Sequence, residues 1–300
     1  SKMLSASNRP VHRSDLEHPR SCSPRWEGQV NLSPMDSVYL QNRAAWDDRV
    51  RRGKSHTGTA AEKDFANPRA VVDQCGWLEG SLAGKRVLCL AAAGGKQSVL
   101  FAALGAIVTV VDLSPEMLAL DLKIAAERSL KVEVLEASMD NLSALADARY
   151  ELVVQPVSTS YVPDVLAVYR EVARVSAPGA LYISQHKQPA CLQADVVPVR
   201  TGYLVTEPYY RQGALPPVVE GCRHREAGTV EFLHRWEDLL GGLCRCGFVI
   251  EDLLEPRLGN ALASPASFEH RSHYLPPFVT IKARRSKVFT RVPPAIWTPD

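Results

Sequence analysis

A run of small residues between two apolar segments is the first feature that could bind a ligand. It follows the apolar letters VLCL at 87–90 and leads into a helical sequence that ends at Gly105. Small residues let a ligand approach the backbone, and the unpaired N–H groups that begin a helix favour a polar or anionic group. We therefore expect this loop to contact a cofactor. The candidate residues are Ala91, Ala93, Gly94, Gly95 and Gln97.

An acid follows this loop at a spacing that suits a ribose. Asp112 lies near the end of a second apolar segment, 106–114, and 17 residues after Gly95. In dinucleotide folds a carboxylate about 20 residues after the glycine loop binds the ribose hydroxyls. Asp112 could instead cap the helix that begins near Ser114. We favour the ribose contact because the small-residue loop precedes it.

Two histidines could exchange a proton with a substrate. His186 is the next-to-last residue of the apolar segment LYISQHK at 181–187, and ligands of open α/β sheets bind outside the carboxyl ends of the strands. His234 precedes Trp236 in a later segment. A histidine near its ordinary pKa of about 6.5 is a suitable general base. For each of them the alternative is a hydrogen-bonded structural role.

The elements that must position these residues alternate between apolar runs and amphipathic stretches. This alternation predicts an α/β fold, a doubly wound, seven-stranded, mostly parallel sheet with helices on both faces. The last strand is expected to pair antiparallel with the sixth. The predicted strands are 87–90, 106–114, 131–137, 150–158, 181–187, 248–255 and 278–285.

Segments outside this alternation predict accessory parts. Residues 51–68 have the composition of a loop, and an insertion after the fifth strand is rich in Pro, Gly and Tyr, which suits a substrate cover. The predicted organisation is a flexible N-terminal arm over 1–34, an N-terminal helical cap over 35–80, the main domain over 81–285 with its insertion at about 188–234, and a C-terminal tail over 286–300.

The ordered series of segments resembles the class I S-adenosylmethionine (SAM)-dependent methyltransferase family. VLCLAAAGG stands where that family reads hydrophobic-acid-hydrophobic-G-x-G-x-G, with Cys89 in place of the acid and alanines in place of the first two glycines. Alanine permits close approach if its φ stays negative. The resemblance covers about residues 78–285. Its other landmarks are VTVVDLSPEMLALD, EASMDNL, YELVVQPVS, PGALYISQHK and LCRCGFVIEDL.

The resemblance implies a cofactor, an activity and a set of contacts. SAM would be the cofactor, and a methyl group would pass by in-line displacement to a small-molecule acceptor. Asp112 would hold the ribose, Leu113 and the loop Ser138, Met139 and Asp140 would surround the adenine, and Gln155 would lie beside the methionyl part. Candidate substrate contacts are Trp46, His56, Ser158, Tyr161, Tyr209 and Tyr210.

Some alternatives stay open at this point. An NAD(P) oxidoreductase needs the spacing G-x-G-x-x-G, and the bulky Lys96 stands where close packing requires Gly or Ala. The altered loop AAAGG is compatible with a non-catalytic SAM- or ligand-binding protein of the same fold. Trp46 and the pair Tyr209 and Tyr210 could be packing anchors. Whether the acceptor atom is O, N or S does not follow from the residues.

Composition narrows the partners. The 35 basic and 33 acidic residues give a net charge of +2, so a nucleic-acid partner is not expected. No segment approaches the roughly 20 apolar residues of a membrane span, and the N-terminus lacks a secretory pattern, which together predict a cytoplasmic protein. The seven cysteines include no C-x-x-C pair, so reduced thiols and no metal site are expected. The oligomeric state is left open.

Overall fold

The structure is a computed structural model of the chain, and it describes residues 34–91, 94–220 and 222–286. The predicted arm and tail lie outside the described residues, apart from Pro34 and Ser286. The helices are α1 Pro34–Arg51, α2 Glu62–Ala66, α3 Pro68–Val72, α4 Ser98–Ala103, α5 Pro115–Glu127, α6 Val165–Val175, α7 Pro189–Gln193, α8 Gly242–Arg245 and α9 Phe268–Tyr274. The strands are β1 Arg86–Leu90, β2 Ile107–Asp112, β3 Val132–Glu136, β4 Tyr150–Gln155, β5 Ser176–Lys187, β6 Ala194–Val199, β7 Gly202–Val205, β8 Phe248–Leu254 and β9 Phe278–Arg285.

Seven of these strands form one sheet in the order β3-β2-β1-β4-β5-β9-β8. Strands β1 to β5 pair in parallel, and β9 runs antiparallel to both β5 and β8. The chain therefore winds outward from β1 to β3 and then returns to the other side of β1 with β4. The predicted mostly parallel sheet and its antiparallel last pair are confirmed. The strand order reverses between β1 and β4, where such sheets bind ligands.

Alternation along β1 shows how the sheet separates two layers of helices. Leu88 and Leu90 pack in a core with Tyr169 of α6 and Leu243 of α8. Val87 and Cys89 point the other way, into a core that contains Phe101 of α4. Strand residues i and i+2 share a face, so each face buries its own apolar set. Helices therefore cover both faces, as predicted.

Helix α1 is fixed to the carboxyl-end edge of the sheet by buried polar side chains. Asp47 accepts a hydrogen bond from Ser114 Oγ at 2.6 Å. The amide of Asn42 donates to the carbonyl oxygens of Tyr161 and Val230 at 3.0 and 3.1 Å, and its oxygen accepts the Val230 N–H at 2.7 Å. Buried polar groups that are fully bonded fix one arrangement. The helix therefore joins the start of α5 to the segment that follows β7.

Three segments differ from the sequence-based prediction. Helix α2 lies inside the predicted loop 51–68, where the Asp64 carboxylate accepts the Ala61 N–H at 2.8 Å and starts the turn. The predicted insertion contains α7 and the antiparallel hairpin of β6 and β7. Helix α9 was not predicted; it starts where Ser267 Oγ caps the His270 N–H. Among the described residues, no helix combines the length and the apolar character of a membrane span.

Candidate active site

A cavity of about 870 Å³ lies at the carboxyl ends of the parallel strands, where the strand order reverses. This volume is within the range of about 300–1,000 Å³ that is usual for ligand sites. Its floor is the residues that follow β1 to β4 and the end of β5, and its roof is α1, the loop after it and the segment 222–228. The floor includes Ala91, Asp112, Leu113, Ala137, Ser138, Met139, Pro156, Val157, Ser158, Gln185 and Lys187. The roof includes Tyr39, Asn42, Trp46, Arg49, His56, Arg225 and Glu226.

The small-residue loop after β1 is held from behind by α5. The carboxylate of Asp121 accepts the Gly95 N–H at 2.8 Å and a hydrogen bond from Ser98 Oγ. Burial raises the pKa of Asp121 to about 6. Gly95 has φ +75°, and a Cβ there would lie 2.9 Å from the carbonyl oxygen of Leu120, so glycine is required. Asp121 was missed by sequence reasoning, although a carboxylate on the buried face of α5 was the available signal.

Ala91 has an unexpected backbone conformation. Its φ is +46°, in the left-handed region, whereas close approach was expected to require a negative φ. The condition stated for alanine, a negative φ, is therefore not met at Ala91. A non-glycine residue in this region carries a cost of about 1–2 kcal/mol. Ala91 lines the cavity, while Gly94, Gly95 and Gln97 are not among its lining residues. Ala93 lies outside the described residues.

Asp112 reaches the cavity at the end of β2. Its carboxylate accepts the Ser114 N–H at 2.9 Å, and burial raises its pKa to about 7. The cap of α5 is Ser114, whose Oγ accepts the Met117 N–H at 3.2 Å. The alternative role of Asp112 as the helix cap is therefore wrong. Asp112 lines the cavity, and among the described residues its carboxylate accepts hydrogen bonds only from backbone N–H groups.

The loop after β3 divides between the cavity wall and its support. Ser138 and Met139 line the cavity. Asp140 lies behind them, where it accepts hydrogen bonds from Ser138 Oγ and from the hydroxyl of Tyr39. Helix α1 therefore holds this loop in place through Tyr39. Leu113, beside Asp112, also lines the cavity. Of the four residues assigned to the adenine by resemblance, three therefore line the cavity and Asp140 supports them.

Gln155 is a supporting residue in this structure. It is 2% exposed, and its side-chain oxygen accepts the hydroxyl of Tyr182. Its amide nitrogen donates to Ser158 Oγ at 2.9 Å and lies 3.0 Å from the sulfur of Met139. The structure does not bring Gln155 to the cavity, because these bonds aim its amide into the core. It positions two residues that do line the cavity.

His186 lies away from the cavity, in the core. It is 0% exposed, and its ring nitrogens lie 2.8 Å from Thr159 Oγ1 and 2.8 Å from Ser184 Oγ. Burial lowers its pKa to about 3, so the imidazole stays neutral. Gln185 and Lys187 line the cavity on either side of it. Because successive strand residues point to opposite faces, His186 points away, and the role of general base does not fit this placement.

His234 also makes structural contacts. Its Nε2 atom lies 2.9 Å from the carbonyl oxygen of Thr159 and 3.1 Å from that of Val162, and burial lowers its pKa. It lines a separate cavity of about 300 Å³ together with Tyr210. Tyr209 accepts the Trp236 N–H at 3.1 Å through its hydroxyl. The structure therefore does not bring His234, Tyr209 or Tyr210 to the main cavity.

The other predicted substrate contacts do meet there. Trp46, His56, Ser158 and Tyr161 all line the main cavity. The rings of Trp46 and Tyr161 pack edge to face with centroids 5.7 Å apart. Tyr161 lies in a 3₁₀ turn, Thr159–Tyr161, that follows β4. An aromatic wall of this kind suits a flat organic ligand.

A buried ionic cluster at the end of β5 was missed by sequence reasoning. The ammonium of Lys187 lies 2.7 Å from Glu226 Oε2 and 2.9 Å from Glu231 Oε2. Burial alone would lower the pKa of Lys187, but the two carboxylates outweigh it and raise the pKa. The hydroxyl of Tyr161 donates to the same Glu226 oxygen at 2.7 Å. A lysine that ends a buried strand was the signal that could have revealed this cluster.

Comparison with known proteins agrees with this geometry. Residues 88–184 match the model of a family described as a methyltransferase domain. The uncharacterized methyltransferase YbaJ of Bacillus subtilis (strain 168) is 30% identical over 244 residues, which are 76% of this chain and 94% of that protein. The ubiquinone biosynthesis O-methyltransferase of Xanthomonas oryzae pv. oryzae (strain PXO99A) is 35% identical over 172 residues, 57% of this chain and 68% of the relative.

A solved structure shares the fold. The crystal structure of an S-adenosylmethionine-dependent methyltransferase from Mesorhizobium loti aligns with a TM-score of 0.56 at 22% identity, over 74% of this chain and 97% of that one. The chain belongs to the class I SAM-dependent methyltransferase family. Within the part of the chain that the structure describes, no group of three or more His, Cys, Asp or Glu side chains could hold a metal ion.

Proposed function

We propose that this protein transfers a methyl group from SAM to a hydroxyl of a small molecule held in the main cavity. The observation that carries the proposal is the continuity of this cavity. One space joins the acid at the end of β2 to an aromatic and ionic wall formed by α1, the 3₁₀ turn and the segment 222–228. A transferase of this kind must hold two small ligands side by side.

The cofactor side fits a nucleoside. Asp112 presents a carboxylate whose burial raises its pKa to about 7, so donors from a ribose diol would stabilise its charged form. Leu113 and Met139 offer apolar contact to a base, and Ala91 offers a small side chain where the chain turns. Behind the loop, Gln97 Oε1 is buried without a hydrogen-bond partner among the described residues. When bound, SAM supplies a methyl group on a positively charged sulfur that a nucleophile displaces in line.

The acceptor side offers a group that can take a proton. Glu226 uses Oε2 for Lys187 and Tyr161, and among the described residues Oε1 makes no hydrogen bond. This oxygen lies 4.0 Å from Nε2 of His56, which lines the cavity. Burial alone would raise the pKa of Glu226, but Lys187 lowers it, so Glu226 is a carboxylate that can orient His56.

The acceptor oxygen forms a bond to the methyl carbon as the carbon–sulfur bond breaks, and the hydroxyl proton passes to His56. S-adenosylhomocysteine (SAH) leaves with the electron pair of that bond. The name of the Xanthomonas relative, an O-methyltransferase, supports oxygen as the acceptor atom. Glu226 and His56 replace His186 and His234 in this proposal because they line the cavity.

Calorimetry tests the cofactor half directly. The wild-type protein should bind SAM and SAH saturably, and Asp112→Ala should weaken both. A radiolabelled methyl group from SAM should then pass to phenolic acceptors in a turnover assay, and His56→Ala should slow this transfer without changing the SAH affinity. Saturable NADH binding together with no detectable SAM binding would contradict the proposal. SAM binding without transfer to any acceptor would point to a ligand-binding protein instead.

A further inference from the structure

The cationic side chains of the main cavity differ in how their charge is balanced. Six of them line it: Arg49, Arg52, Lys54, Lys187, Arg223 and Arg225. All but Arg49 lie within 4.0 Å of a carboxylate. The pairs are Arg52 with Asp48 and Glu220, Lys54 with Glu220, Lys187 with Glu226 and Glu231, Arg223 with Glu269, and Arg225 with Glu231. Among the described residues, Arg49 has no acidic partner.

Neutral groups fix the position of the Arg49 guanidinium. Its Nη2 atom donates to the carbonyl oxygen and to Oγ of Ser55 at 3.1 and 3.0 Å. The guanidinium carbon lies 5.4 Å from the ring centroid of Trp46. The Nε atom is buried and has no hydrogen-bond partner among the described residues. The group is therefore oriented in advance, but no carboxylate of the described residues neutralises its charge.

The location of Arg49 assigns it to the acceptor half of the cavity. It shares α1 with Trp46, whose ring packs against Tyr161, and Tyr161 donates to Glu226. Its hydrogen-bond partner Ser55 precedes His56, the proposed proton acceptor. Asp112, which marks the cofactor half, is instead linked to α1 through Ser114, which bonds Asp47. Asp47 lies two residues before Arg49, and residues two apart on a helix point in different directions.

A planar guanidinium with free donors fits a carboxylate by paired hydrogen bonds. We propose that Arg49 binds a carboxylate group of the methyl acceptor, so that the acceptor is an anionic aromatic molecule. The inference rests on the proposed function. The aromatic rings of Trp46 and Tyr161 supply the flat contact, and Arg49 supplies the charge that selects among such molecules. A carboxylate could also come from the amino-acid end of the cofactor, and the experiment must separate these two sources.

A matched pair of probes tests the inference in protein saturated with SAH. Calorimetry would compare 4-hydroxybenzoate with 4-hydroxybenzamide, which has nearly the same shape and no charge. The wild-type protein should bind the carboxylate at least about tenfold more tightly, as a charge-assisted pair of hydrogen bonds implies. Arg49→Gln should remove this preference, and Arg49→Lys should restore part of it. Arg52→Gln is the control, because that arginine already has acidic partners, and it should keep the preference.

The outcomes separate the two hypotheses. Equal binding of the two probes, or no binding of 4-hydroxybenzoate, would overturn the assignment of Arg49. The second probe is 5′-methylthioadenosine, which lacks the amino-acid end of SAH. If Arg49→Gln lost affinity for SAH and kept its affinity for 5′-methylthioadenosine, Arg49 would bind the cofactor. That result would also overturn the proposal that Arg49 binds the acceptor. Failure of the wild-type protein to bind SAH would contradict the proposed function itself. Normal SAH binding by Arg49→Gln would show that this variant is folded.

Discussion

The Nδ1 atom of His186 lies 2.8 Å from the Oγ1 atom of Thr159. Thr159 begins the 3₁₀ turn that carries Tyr161 into the cavity, and its carbonyl oxygen lies 2.9 Å from Nε2 of His234. The two histidines therefore hold the side chain and the backbone of one residue. Neither histidine lines the main cavity, and both are connected to it through this turn.

Replacing His186 should destabilise the fold. His186→Ala leaves two buried hydroxyl groups without their partner, which implies a loss of about 1–3 kcal/mol in the free energy of unfolding. Urea denaturation followed by circular dichroism measures this loss. His273→Asn, at an exposed histidine, is the control and should have little effect. If His186→Ala kept full stability and lost only turnover, His186 would not have a structural role in the core.

The same residue makes a pH prediction. Burial lowers the pKa of His186 from 6.5 to about 3, so the unfolded chain takes up a proton that the folded chain does not. Its contribution to stability is present above pH 6.5 and is lost as the pH falls toward about 3. His186→Gln should therefore show a shallower decline of melting temperature between pH 6.5 and pH 5 than the wild type. An unchanged decline would mean that other groups cause it.

Asp112 should couple cofactor binding to pH. Its pKa is raised from 3.8 to about 7 in the free protein by burial, and a diol that donates to it favours the charged form. SAH affinity should fall as the pH drops below about 7. The unliganded protein should lose stability as the pH rises from about 4 to about 7, because the neutral form is favoured. Calorimetry of SAH binding at pH 6 and pH 8 should show the change of affinity with pH in the wild type and not in Asp112→Asn.

Removing the Asp112 carboxyl should weaken binding without unfolding the domain. Asp112→Ala should cost about 1.5–3 kcal/mol of SAH affinity, the range for hydrogen bonds to a charged group. Because the cap of α5 is Ser114, the melting temperature should not fall. A lower melting temperature with unchanged SAH affinity would restore the helix-cap role.

Ala91→Gly should stabilise the protein. The alanine is held at φ +46°, where a glycine has no steric cost. The gain from removing about 1–2 kcal/mol of strain is partly offset by the greater freedom of glycine in the unfolded chain, about 0.5–1 kcal/mol. A net gain of up to about 1 kcal/mol should appear in chemical denaturation, with SAH affinity within about twofold. A loss of stability would show that the Ala91 methyl group packs favourably.

Lys187 should be essential for the buried ionic cluster. Lys187→Met removes the cation shared by Glu226 and Glu231 and leaves Glu231 with Arg225 as its partner. Removing one partner of a buried ion pair should cost about 3–5 kcal/mol in the free energy of unfolding. Adding Glu231→Gln should recover part of the loss. Lys54→Met removes a lysine whose partner Glu220 is exposed, and it should cost less than about 1 kcal/mol. Similar losses of unfolding free energy in Lys187→Met and Lys54→Met would contradict the distinction between a buried and an exposed ion pair.

The sequence was sufficient to predict the sheet because apolar runs of strand length alternate with helices. Local spacing also pointed to Ala91 and Asp112, and both line the cavity. The prediction put His186 on the wrong face of β5. Gln185 and Lys187 line the cavity, and His186 between them points into the core. The period of two is visible in the sequence, but which face meets the cavity is decided by tertiary packing.

Contacts between distant segments could not be predicted in the same way. Tyr161 and Glu226 are 65 residues apart, and Lys187 and Glu231 are 44 apart, so no local spacing connects them. Gln155 lies at the end of a strand, as expected, but the hydroxyl of Tyr182 draws its amide into the core. The pairs that involve Glu226 and Glu231 depend on the path of the insertion, which has little periodicity.

Helix α1 has a thermodynamic consequence beyond its role as a roof. Through Asp47 and Tyr39 it is bonded to the side that carries Asp112 and Met139, and through Asn42 to the side that carries Tyr161. A ligand that orders this helix on one side lowers the entropic cost of ordering it on the other. We therefore expect the affinities for the proposed donor and acceptor to be linked, and such a linkage must be reciprocal. Each ligand should strengthen the binding of the other by the same factor, whichever binds first.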